Sequence, residues 1–145
     1  MDIVNVTLEK DGSSYVFTAT TATNLPSPAE MTGGKRVDFI WFIDSDQDAT
    51  TGQKTDGNEY NIHAWLDEDG WHPDWYKVTD ASAQDGIDID FNSLHISVSG
   101  NVVTLEFPKN YLPSEHFDWW LVSDTINAVD WTPHTYNPPT QRMST

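Results

Sequence analysis

The chain has 145 residues, 7 basic against 23 acidic, and a formal charge of −16. That length fits one domain with a core of its own, and that charge disfavours phosphate backbones and anionic membrane surfaces as partners. Cysteine is absent, which excludes disulfides, thiolate nucleophiles and cysteine-ligated metal centres.

Residues 3–10 alternate apolar and polar, Asp11-Gly12 marks a turn, and residues 14–19 alternate again, which predicts a β-hairpin. A loop rich in Pro, Gly and Ser follows over 24–34. Residues 36–43 form an apolar run of strand length, expected to be central and buried on both faces, with Trp41 in the core. A polar loop covers 44–58 and a strand covers 59–66, closed by the turn Asp67-Glu68-Asp69-Gly70. Residues 71–78 read as extended and aromatic. Short strands are predicted over 87–91, 94–98 and 102–107, then one helical turn over 108–112 and a last strand over 117–122. No segment holds a helical period. The expectation is an all-β chain folded as one antiparallel, jelly-roll-like β-sandwich over 1–137, with an up-and-down barrel as the alternative. Residues 138–145 are short, polar and proline-containing, and read as a linker or tail. No apolar run reaches membrane-spanning length. Met1-Asp2-Ile3-Val4-Asn5 lacks the basic start and apolar stretch of a signal peptide, so a secreted protein would be represented here in mature form.

Asp44, Asp46 and Asp48 stand at alternate positions of the polar loop. Carboxylates so spaced can converge on one hard cation, and calcium, with roughly six to eight oxygen ligands, suits a flexible loop better than magnesium. The EF-hand pattern fails, because Ala49 stands where its glycine belongs and Thr55 where its glutamate belongs. Asn58 and Glu59 can return further oxygens to the same ion. The expected ligand set is therefore Asp44, Asp46, Asp48, Asn58 and Glu59, holding a structural calcium. The competing reading is a solvated acidic turn.

Seven tryptophans in so small and polar a domain point to sugar. A pyranose offers a weakly apolar plate to an indole, and its hydroxyls need polar side chains at the rim. In the strand over 59–66, parity puts Tyr60, Ile62, Ala64 and Leu66 on the core face and Asn61, His63 and Trp65 on the other. Trp71, Trp75 and Tyr76 belong to the densest cluster, which Pro73 breaks, so it cannot all be core and the three are the first candidates for stacking platforms; the competing reading is a cluster capping the end of the sandwich. Trp119 is expected in the core and Trp120 on the ligand face; Trp131 has no placement. The enzymatic alternative is a small glycosidase pairing Glu106 with Glu59 or an Asp. A third reading packs the aromatic cluster against a neighbouring domain.

The run Ile43-Asp44-Ser45-Asp46-Gln47-Asp48-Ala49-Thr50-Thr51-Gly52, followed by Gly57-Asn58-Glu59-Tyr60-Asn61-Ile62, resembles the calcium-holding segment of bacterial β-sandwich carbohydrate-binding modules. With the tryptophan-rich remainder, the chain is most similar to family 81 of these modules. The resemblance implies a non-catalytic, extracellular module that binds single β-1,4-linked glucan chains in a groove. It also implies attachment to a glycoside hydrolase acting on plant cell wall. No nucleic-acid or membrane partner is expected, and a monomer is.

Overall fold

The computed structural model describes residues 1–53, 57–78, 93–126, 134–136 (as backbone) and 140–145. In chain order the strands among them are β1 (Ile3–Asp11), β2 (Ser14–Thr21), β3 (Arg36–Asp44), β4 (Tyr60–Asp67), β5 (Gly70–Lys77), β6 (His95–Ser99), β7 (Val102–Pro108), β8 (Asp118–Ile126), β9 (His134–Tyr136) and β10 (Met143–Ser144). They build two antiparallel sheets. The first has the order β1-β2-β7-β6; the second has the order β10-β8-β3-β4-β5, with β9 also paired to β8. The expected all-β antiparallel sandwich is the fold observed.

Alternation in the sequence sets the faces. Tyr15, Phe17 and Ala19 of β2, with Val103, Leu105 and Phe107 of β7, are buried against Ile62, Ala64 and Leu66 of β4 and Trp41 of β3. The sheets interlock through aromatic rings. Phe17 lies 5.7 Å from Trp41 and 5.0 Å from Trp119, and Trp75 lies 5.8 Å from Phe107. Each such side chain taken out of water stabilises the fold by about 1.5–3 kcal/mol. As read from the sequence, β3 is central, lying between β8 and β4, and Trp41 and Trp119 are core. The helical turn is present as a 3-10 turn at Lys109–Tyr111. The strand expected over 87–91 lies outside the described residues.

Two boundaries differ from expectation. The last long strand does not stop at 122 but runs to Ile126, because Ser123, Asp124 and Thr125 pair with β3 despite their polarity. Over 140–145, the expected tail lies along β8 instead. Thr140 N–H donates to the Leu121 carbonyl, Thr145 N–H to the Phe117 carbonyl, and β10 pairs with Trp119 and Asp118. Polar residues suit an edge strand, where one side of the ladder faces water.

Candidate functional site

The outer face of the second sheet carries the polar and aromatic residues singled out above. Register puts Asp124, Asp38, Trp65 and His72 in one row across β8, β3, β4 and β5, and Trp120, Phe42, Asn61 and Tyr76 in another. The parity expected for Asn61, His63 and Trp65 is the observed one.

Trp75 is a correction. It is wholly buried, opposite Ile62, and stacks on Tyr60 at 5.2 Å. Pro73 does not interrupt the strand, because β5 is an edge strand and an edge strand tolerates a residue without an N–H. Regular alternation then sends Trp71, Pro73 and Trp75 inward and His72, Asp74 and Tyr76 outward. Trp71 is half-buried on the core side, 6.2 Å from Phe39. Neither indole presents a free platform.

Trp120 is a second correction. It faces outward as expected, yet only 9% of it is exposed. Phe42 stacks on its ring at 5.5 Å and 6°, and the Arg142 guanidinium lies 4.8 Å from the ring centre. Arg142 comes from the segment expected to be a tail, so nothing near Trp120 in sequence announced its cover.

Asn61 and His63 are buried instead of standing at a rim. Asn61 accepts a hydrogen bond from the Asn58 side-chain amide. His63 Nε2 lies 2.8 Å from the Tyr76 hydroxyl, with the two rings edge to face. Burial, then the Arg36 charge, lowers the His63 pKa from 6.5 to about 3. Burial also raises the Tyr76 pKa, so the pair is a neutral hydrogen bond at neutral pH. Arg36 and Asp38 of β3, His72, Asp74 and Tyr76 of β5 and Asp124 of β8 are the other ionisable groups turned to this face around His63. The unfolded chain takes up a proton at His63 near pH 6.5, and the folded chain refuses it until about pH 3. Stability is therefore complete above that upper value and falls as the pH drops towards the lower one, by up to about 1.4 kcal/mol per pH unit. Urea unfolding at pH 7, 6 and 5 is expected to show this slope, and His63→Gln a shallower one. Equal slopes would contradict the assignment.

Trp65 is partly exposed and borders a pocket of about 320 Å³. Lys35, Arg36, Asp67, Glu68 and Ile126 contribute to its walls, with Met31 and Gly34. Arg36 lies 4.1 Å from the centre of the indole and His72 4.2 Å. They come from β3 and β5, the two strands flanking β4, so both faces of the ring are occupied and its edge is what remains. Arg36 is fixed by a forked contact to Asp38 at 2.6–2.9 Å, and His72 by Asp67 at 2.9 Å. Sequence reading missed Lys35, Arg36 and Glu68. The one available signal was two adjacent cations ahead of an apolar strand in so acidic a chain.

The acidic loop brings three of its expected ligands together. One carboxylate oxygen each from Asp44, Asp46 and Glu59 lies within 4.8 Å of the others. Asp48 does not join them; its Oδ1 accepts from the Thr50 hydroxyl and N–H, which lowers its pKa. Short side chains bond their own backbone in this way, the Asx turn of the competing reading. The Thr51 hydroxyl has one proton, yet Asp46 Oδ2 (2.8 Å), the Asp48 carbonyl (2.9 Å) and Glu59 Oε1 (3.1 Å) all crowd it. Asn58 Oδ1 and Gln53 Oε1 are buried acceptors without a hydrogen-bond partner among the described residues. Among its described residues, the loop is therefore short of donors. It is also tightly wound. A Cβ at Gly52 would sit 2.4 Å from the Asn58 carbonyl oxygen, and one at Gly57 2.7 Å from the Ala49 Cα, and both glycines have positive φ. Asp44 is wholly buried and paired with Arg142, which also bonds Asp118 at 3.1 Å. Asp118 lies directly across from Asp44 on β8, so this one guanidinium offsets a like-charge pair.

Glu106 and Glu59 belong to different sheets. Glu106 is on the outward parity of β7 in the first, while Glu59 immediately precedes β4 of the second and bonds Ser45 and Thr51. Among the described residues, no helix is long and apolar enough to cross a membrane. No family model, curated protein or solved structure matches the chain.

Proposed function

We propose that this protein is a non-catalytic, extracellular carbohydrate-binding module for β-glucan, stabilised by calcium and attached to a glycoside hydrolase. The observation that carries the reading is the concave pocket beside Trp65, where an indole edge meets Lys35, Arg36, Asp67 and Glu68. Apolar surface edged by fixed donors and acceptors is what a hydroxyl-rich ring needs. The lining holds two cations and two carboxylates, so its charge cancels within a molecule of net charge −16. A neutral hexose is therefore favoured over a uronate or a phosphosugar.

Calcium is the structural part of the same reading. Asp44, Asp46 and Glu59 would hold it, with Asn58 as a neutral oxygen donor. The crowding of three acceptors on the Thr51 hydroxyl, and an Asn58 Oδ1 without a partner among the described residues, support it. Its role would be to fix the loop between two core strands. Titration calorimetry with cellohexaose tests the glycan reading. Heat is expected, and Trp65→Ala should weaken binding by up to about tenfold, the size of one lost aromatic contact. Absence of heat with cellohexaose and with mixed-linkage fragments would overturn it.

A further inference from the structure

Resting on that reading, we infer that the Trp65 pocket recognises the end of a glucan chain rather than its middle. A chain threading through a site needs an open trough with stacking platforms in line. Among the described residues, no outward indole offers one. Both faces of Trp65 are taken by Arg36 and His72, so the ring cannot lie flat against successive sugars. The other outward indole, Trp120, is covered by Phe42 and Arg142. Trp71 and Trp75 are on the core side of β5.

The pocket itself is small and lined by three further parts of the chain: Met31 with Gly34, Lys35 and Arg36, Asp67 and Glu68 at the β4–β5 turn, and Ile126 at the end of β8. A volume of about 320 Å³ lies at the lower limit for small-molecule sites, room for the last one or two units of a chain and not for a longer run. Lys35, Asp67 and Glu68 supply the polar groups that the hydroxyls of a terminal sugar need. Recognition then comes from hydrogen bonds to Lys35, Asp67 and Glu68 and from the indole edge, not from a row of stacked rings.

The experiment is calorimetry with cellotriose, cellotetraose and cellohexaose, each also with the reducing end converted to the alditol or the non-reducing end capped by 4-O-methylation. The dissociation constant is expected to stay within about threefold from trisaccharide to hexasaccharide, and one of the two modifications to weaken binding by about tenfold or more. Lys35→Ala and Glu68→Ala, both at exposed positions, should also weaken the trisaccharide. Affinity rising about tenfold or more with length, indifference to both end modifications, or indifference to both substitutions would overturn end recognition while leaving glucan binding standing. Failure of every oligosaccharide to bind would instead remove the glucan reading, and this inference with it.

Discussion

Trp75→Ala is expected to cost about 3–5 kcal/mol of unfolding free energy, the range for large aromatic truncations in a closed core. Trp75 is fully buried, stacks on Tyr60 and touches Phe107 and Tyr111, so its removal leaves a cavity shared by both sheets. One feature trims the loss: the Trp75 indole N–H is buried without a partner among the described residues, and deleting it removes that penalty. Urea unfolding followed by circular dichroism measures the change. Trp65→Ala is the control. It sits on the outer face, partly exposed, and is expected to lose far less stability while losing glycan binding. Near-native stability in Trp75→Ala would return Trp75 to the surface and undo the parity assigned to β5.

The second large effect is calcium on the melting temperature. A ligand that binds only the folded state adds about 2.7 kcal/mol at a hundred times its dissociation constant. For a domain of this size that is roughly 5–10 °C. Chelation is expected to remove this increment, and Asp46→Asn to melt in calcium as the wild type does in chelator. Asp46 is the useful position because it is exposed and its Oδ2 crowds Thr51, whereas Asp44 is buried and also holds Arg142. Magnesium should stabilise less, since it demands near-octahedral geometry. Superimposable melts with calcium and with chelator would reduce the loop to an Asx-bonded acidic turn.

Much of the fold was legible because strand alternation is local. The inward sets of β2, β4 and β7 follow from reading every second residue, and the assignment of Trp41 and Trp119 to the core follows from their apolar neighbours. The same rule, carried through Pro73, would have placed Trp75 correctly. The error lay in treating proline as a break where an edge strand accepts it. The ligand set was legible in part for a different reason. Asp44, Asp46 and Glu59 meet because β3 and β4 pair in register and close the loop between them. Asp48 turns aside because Thr50, two residues on, offers a nearer donor.

The covers of the outer face were not legible. Arg142 reaches Asp44 across nearly a hundred residues of chain and covers Trp120 from the separate segment at 140–145, and Arg36 and His72 reach Trp65 only because β3 and β5 flank β4. By itself the sequence determined the all-β class, the apolar inner face of β3 and the carboxylate-bearing loop, since each rests on spacing along one strand or turn; the outer face of β3, expected to be buried too, stays partly open at Ile40 and Phe42. Only the tertiary structure decided which indoles are covered and where a pocket remains, because burial of a ring depends on residues from other strands, and strand order and register are set by packing the whole sheet.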